Sequence, residues 1–348
     1  MTPERDAAAV LDAAVAARAF PGAVAETGDG NGPLWRHATG SLTYEPTSPA
    51  ATDRTLYDLA SLTKVIATTS VAMRLAERGA LDLAAPVSAW MPEWAAGPYA
   101  GVTVRHLLDH SAGLPAWLPL FHTSTGRDEF RRAIAAVPPA YEPGSASIYS
   151  DLGFISLGTV VESAGGRDLG SLFEAFRADA ALPASLTYGI TAGVDVAPTE
   201  FDPWRGRMLT GEVHDENAFA LSSAAPHAGL FGTAADAGAF ARVVLRTFSE
   251  VTALGTPAEM KVFATRTGVP GSSRALGWDT MVTTSSCGSR MSAEAIGHTG
   301  FTGTSLWIDP AIGRYFVLLT NRVHPVRENN AIRAVRRAFH DALLAAAS

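Results

Sequence analysis

"LASLTKVIATT", residues 59–69, carries Lys64, one of only two lysines in a chain whose other basic residues, Lys261 apart, are all arginine. Arginine stays protonated in proteins, whereas burial and neighbouring charge can drive a lysine neutral, so position 64 asks for an amine that titrates. Ser61 precedes it by three residues, and on a helix that spacing places both side chains on one face. The helix runs through Val65, Ile66, Thr69, Met73 and Ala76 as its core-facing set and stops at Gly79, with Asp58 or Ser61 expected as N-terminal caps.

Outward from this helix, residues 4–19 read as a first helix, and "AVAETGDGNGPLWRHATGSLT" reads as a hairpin. Residues 80–140 are helical pieces broken by prolines, and Asp151 is expected to cap an apolar helix closed by Gly165 and Gly166. Residues 170–275 are mainly helical in pattern, clearest over "AADAGAFARVVLRTF". Short strands return in "ALGWDTMV", "EAIGHTG", "GTSLWIDP" and "RYFVLLTN", followed by a closing helix. The expected fold class is α/β (α+β): one antiparallel sheet built from both termini, flanked by the terminal helices, with a large mainly helical insertion. Residues 1–58 with 275–348 would form the sheet part and 59–274 the helical part, with the site in the cleft between them.

The 348 residues, 47% hydrophobic and 18% charged, bury a sizeable core. A net charge of -7 without basic runs points away from nucleic acid or an anionic membrane as partner and leaves a small molecule. Glu4, Asp6 and Asp12 interrupt what would be a leader's basic and apolar regions, so a cytoplasmic protein is expected. Cys287 is the single cysteine, which excludes an intrachain disulfide.

Several chemistries are absent. There is no G-x-S-x-G elbow and no phosphate-binding Walker loop, and "GDGNGP" fails the dinucleotide fingerprint at Pro33. "HLLDH" puts His106 and His110 at helical spacing, but no glutamate follows the first histidine and no third ligand is evident, so both are read as structural. No metal and no cofactor is expected.

Ser61-x-x-Lys64 is joined in order by "YSD" at 149–151 and "HTG" at 298–300. With "FPGAVA", "VTVRHLLDHSAGLP", "YEPGSASIYSDLGFISLG", "HAGLFGTAADAGAFARVVL" and "VLLTN", the chain resembles the serine β-lactamase and penicillin-binding protein family, in its class C β-lactamase, DD-carboxypeptidase and esterase branch. The resemblance implies Ser61 as nucleophile, Lys64 and Tyr149 as its activators, and an acyl-serine intermediate. It also implies Asp151, His298, Thr299, Gly300 and Phe301 as substrate-binding positions, with the amides of Ser61 and Phe301 as an oxyanion hole worth about 3 kcal/mol per donor.

Two departures shift the expectation. Asp151 stands where that branch has asparagine; a carboxylate only accepts hydrogen bonds, and beside Lys64 it favours the ammonium, which moves the base role to Tyr149. His298 replaces the lysine of K-T-G and is mostly neutral at pH 7. Both weaken recognition of penicillin-like substrates. The expected activity is therefore hydrolysis of small esters or amides, carboxylesterase or D-aminopeptidase-like, with a true β-lactamase or DD-carboxypeptidase as the alternative. A ligand sensor that does not turn over is the alternative outside enzymes. Asp151, together with Asp215 or Glu216 of "GEVHDENA", would receive a substrate ammonium, against the plainer reading of "VHDEN" as a solvated loop. Trp117, Phe121, Trp204 and Phe219 are expected in the pocket walls.

Overall fold

A computed structural model describes residues 2–190 and 195–345; Met1, residues 191–194 and 346–348, which the expected regions include, lie outside the described residues. Six antiparallel strands form the main sheet in the order Pro33–Gly40, Gly22–Gly28, Arg314–Thr320, Ser305–Asp309, Ile296–Thr299, Asp279–Thr280. Its seam joins the two ends of the chain, running from Ala23 opposite Thr320 to Gly28 opposite Tyr315. The expected antiparallel sheet from both termini is present.

Strand periodicity explains why this sheet is covered on both faces. Ala23, Ala25 and Leu318 point into a cluster with Ala7, Leu11, Ile332 and Phe339 from the terminal helices Pro3–Ala16 and Ile332–Leu343, which pack against each other. Val24, Val317 and Leu319 point the other way, into a larger core shared with Phe240, Leu62 and Phe154. The helix Ala234–Thr247, within the span expected to be the helical insertion, lies on this second face against the seam strands. The helical region and the sheet thus share one core.

Gly238 lets that helix approach: a Cβ there would meet Glu26 Oε1 at 1.8 Å. Glu26 is fully buried and is satisfied by Arg36 Nε at 2.6 Å and Tyr315 Oη at 2.6 Å, as a buried carboxylate requires.

The helix of the opening stretch departs from the α-geometry its spacing predicts. Lys64–Thr69 is a π-turn that passes into the α-helix Ser70–Glu77, and Gly79 follows the end at φ +69°. Every residue from Leu62 to Leu75 is buried, so this is a helix of the core rather than one with a single apolar face. Its expected caps do other work. Asp58 accepts from the amides of Ala60 and His214, at 2.8 and 2.7 Å, and Ser61 Oγ accepts from Lys64.

Candidate active site

Ser61 follows a strained residue. Ala60 has φ +47°, left-handed geometry that costs a residue with a Cβ about 1–2 kcal/mol. The turn is held by Ala60 N donating to Asp58 and by Leu59 N donating to Leu230 O at 2.9 Å. It presents Ser61, half-buried, at the start of the buried helix.

One turn on, Lys64 is 0% exposed and donates to Ser61 Oγ at 3.0 Å and to His227 O at 3.0 Å. Its Nζ also lies 2.7 Å from Asp151 Oδ1 and 4.9 Å from the centre of the Tyr149 ring. Burial alone would push the lysine pKa down, but the Asp151 carboxylate and the Tyr149 oxygen outweigh it, so the pKa is raised and the ammonium persists.

Tyr149 comes from the loop before the helix Asp151–Gly165. Ser150, not the expected Asp151, caps that helix by accepting from Gly153 N at 3.2 Å, because Asp151 in its first turn faces Lys64. Gly166 closes the helix at φ +65°. His110 anchors the loop: its Nδ1 accepts from Ser150 N at 3.0 Å, and its ring packs 4.7 Å from that of Tyr149. His106 accepts from Thr103 N as a helix cap, so the two histidines of "HLLDH" do separate structural jobs. The Tyr149 hydroxyl is buried and makes no aligned hydrogen bond. Burial raises its pKa, and the opposing pull of Lys64 does not restore it, so the resting group is a phenol.

The third element is the strand Ile296–Thr299 and the turn after it. His298 is 2% exposed, and its Nδ1 lies 2.9 Å from Thr299 O; a carbonyl only accepts, so Nδ1 carries the proton. Burial, then the charges of Arg274 and Lys64, hold its pKa well below 6.5. His298 is therefore a neutral imidazole where the resembled motif has a cation. Gly300 presses on the turn that carries Ser61 so closely that a Cβ would meet Leu59 O at 2.7 Å. Thr302 and Thr304 bond the carbonyls of Asp58 and Leu59 at 2.8 and 3.0 Å, which places Phe301 beside Ser61. The amides of Ser61 and Phe301 donate to no acceptor among the described residues. Arg336, almost fully buried, holds the carbonyls of Gly300 and Thr304 at 2.8 and 2.7 Å, and burial, then Arg322 and Arg333, bring its pKa down to about 9.

All eight residues singled out from the sequence meet at one cavity of about 560 Å³: Ser61, Tyr149, Asp151, His298, Thr299, Gly300 and Phe301 line it, and Lys64 lies beneath. Of the four expected wall aromatics, Trp117 lines it. Phe121, Trp204 and Phe219 continue from Trp117 as a row, with centroids 6.3, 4.7 and 5.9 Å apart in turn.

The solvated-loop reading of "VHDEN" is overturned. His214 is buried, Asp215 accepts from His227 Nε2 at 2.9 Å and Ala218 N at 2.7 Å, and Glu216 pairs with Arg327 at 2.7 Å. Burial would raise the Asp215 pKa, but His227 beside it outweighs that and lowers it. The charges of this run meet partners outside it, Asp215 with His227 and Glu216 with the distant Arg327, which composition does not show. Arg274, Arg322, Arg327 and Arg336 also border the cavity and carried no local signal.

The sequence profile described as "Beta-lactamase" matches residues 7–340. An N-acetylmuramyl-L-alanine amidase of Bacillus subtilis (strain 168) is 32% identical over 311 residues, 78% of this chain and 69% of that protein. A putative D-alanyl-D-alanine carboxypeptidase of Escherichia coli (strain K12) is 30% identical over 314 residues, 79% of this chain and 70% of that one. Among solved structures, EstCE1, a hydrolase with promiscuous acyltransferase activity, superposes with a TM-score of 0.78 at 22% identity, covering 99% of this chain and 98% of the other.

Proposed function

The chain belongs to the beta-lactamase family of serine hydrolases, and on that premise we propose that it cuts a small amide or ester through an acyl-serine at Ser61. The observation that carries the reading is the 3.0 Å hydrogen bond from the buried Lys64 ammonium to Ser61 Oγ, at the floor of a cavity that also holds Tyr149.

Lys64 is held charged by Asp151, so it orients the hydroxyl rather than taking its proton. The reactive form is the Lys64–Tyr149 pair with one proton removed, the negative charge lying on the Tyr149 oxygen opposite the ammonium. Tyr149 then accepts the Ser61 proton as Oγ attacks the carbonyl carbon. The free amides of Ser61 and Phe301 receive the oxyanion, and Tyr149 returns the proton to the leaving nitrogen or oxygen as its bond to carbon breaks. Water repeats the sequence on the acyl-serine.

The names of the two relatives, an amidase and a carboxypeptidase, support an amide whose nitrogen belongs to an amino acid. Asp151 in place of asparagine and the uncharged His298 favour that over efficient β-lactam cleavage. A D-aminopeptidase-like action is the second reading and is weakened, because Asp151 is committed to Lys64, Glu216 to Arg327 and Asp215 Oδ1 to His227 and Ala218 N, which leaves it only Asp215 Oδ2 in the cavity lining. Equal turnover of D-alanine p-nitroanilide and its N-acetyl form removes it.

Labelling with a fluorophosphonate followed by peptide mapping tests the main reading. The adduct is expected on Ser61 alone, and Ser61→Ala is expected to lower ester turnover by at least about 10⁴-fold. Labelling elsewhere, or an alanine variant that retains turnover, overturns it. A penicillin adduct that never turns over, with no turnover of any ester, would make the protein a sensor instead.

A further inference from the structure

A second cavity, of about 750 Å³, shares no lining residue with the catalytic one. One wall is the short helix Val104–Leu108 with Asp109; the other is the helix Pro257–Ala264 and the segment 265–269 after it. Arg105, Lys261 and Arg266 bring three cations to it, and Asp109 is its one carboxylate. Arg105 and Lys261, the second of the two lysines, are exposed and have no ion pair or side-chain hydrogen bond among the described residues. Arg266 donates only to neutral acceptors, Thr280 Oγ1 and Met281 O, at 2.8 and 2.6 Å. Asp109 is buried and turns its Oδ1 to Ser111, so it pairs with none of the three.

In a chain of net charge -7, a concavity that gathers unpaired cations attracts an anion, and two guanidinium forks beside an ammonium suit a phosphate-like dianion. Ala258, Val262 and Val269 line the same space, which fits an anion with an apolar body. Both walls lead to Tyr149. His110 follows Asp109 and packs its ring 4.7 Å from that of Tyr149, and Ser147 Oγ donates to Asp109 O at 2.8 Å. On the other side Thr267 N and Oγ1 donate to Arg274 O at 2.8 and 3.2 Å, and the Arg274 guanidinium carbon lies 5.0 Å from the centre of the Tyr149 ring. We propose that this cavity is a regulatory site for a small organic phosphate, held by Arg105, Lys261 and Arg266 across the two walls, whose binding changes the hydrolysis rate by shifting the segments that grip Tyr149. Binding itself needs no step of the reaction; its effect on rate rests on Tyr149 acting as proposed.

Phenylphosphonate, which joins the anion to an apolar ring, is the probe, with benzyl alcohol as the uncharged control. By calorimetry it is expected to bind Ser61→Ala as it binds the unaltered protein, and to bind less tightly as added salt screens the cations. Arg105→Ala and Lys261→Ala should each weaken it by roughly 5- to 20-fold and leave kcat without the probe unchanged. Saturating probe should change kcat for p-nitrophenyl acetate by about twofold or more at little altered KM, and the double variant should abolish the change. No binding, equal binding of benzyl alcohol, or binding that neither variant weakens overturns the proposal. A rise in KM alone places the anion in the catalytic cavity and overturns it too, and binding through both cations with kcat untouched overturns the regulatory role. Failure of Ser61→Ala to lower turnover would sink the hydrolase reading itself, a distinct outcome.

Discussion

Lys64 Nζ lies 2.7 Å from Asp151 Oδ1, closer than the 3.0 Å that separates it from the Ser61 hydroxyl. The carboxylate raises the pKa of Lys64 against its burial, and burial first, with a lesser push from Asp151, raises that of Tyr149, so at neutral pH both hold their protons and the reactive, singly deprotonated pair is a minority. Because a raised pKa means the proton is lost only as pH rises, log kcat/KM for an ester is expected to climb with unit slope through neutrality into the alkaline range. Asp151→Asn removes the carboxylate's contribution to both values and should move this limb toward acid. A plateau below neutral pH in the unaltered enzyme, or an unmoved limb in the variant, contradicts this.

Gly300→Ala is expected to damage the rate more than the binding. The new Cβ would sit 2.1 Å from Thr304 Oγ1 and 2.7 Å from Leu59 O, so the turn must shift and carry the Phe301 amide with it. Loss of one oxyanion donor typically costs about 100-fold or more in kcat. Steady-state kinetics with a folded control by circular dichroism checks it, and an unchanged kcat would remove Phe301 from the oxyanion hole.

Acid should destabilise the fold from just below pH 6.5. His110, His298 and His340 are buried and their pKa values lie below the usual 6.5, that of His340 at about 3; burial is the main cause in each, followed by Arg274 for His110 and His298 and by Arg336 for His340. Each is neutral in the fold and charged in the unfolded chain at pH 5, so stability is lost as pH falls, by roughly 1.4 kcal/mol per unit and per histidine. Urea melts at pH 7.5 and 5.5 measure the drop, and His340→Gln should flatten it.

Trp117, 42% exposed at the cavity wall, offers an apolar face that leads onto Phe121 and Trp204. Trp117→Ala should lower kcat/KM for phenylacetyl esters by about tenfold through KM, and for acetyl esters much less, as expected for lost apolar burial. Equal losses on both would place Trp117 in a structural role.

The strand pattern was legible from its period of two, and Ser61 and Lys64 from the scarcity of lysine and the family-like motifs that follow at 149–151 and 298–300. What escaped was set by contacts between distant segments. The π-turn at Lys64–Thr69 leaves no trace in spacing, and Asp151 looks like a cap until Lys64 is seen to claim it, leaving the cap to Ser150. "VHDEN" reads as solvated because its partners lie outside the run, His227 a dozen positions on and Asp58 and Arg327 remote in sequence. Arg274 sits in a glycine- and serine-rich stretch, and only folding brings it over Tyr149.

The threonine latch also sets an order of assembly. While the chain is being made, Asp58 O must wait for Thr302, 244 positions later, and Leu59 O for Thr304. Until then the left-handed turn at Ala60 lacks the clamp from its far side. A nascent chain that already contains Ser61 is therefore chemically unfinished, and catalytic competence arrives only with translation of the last strands.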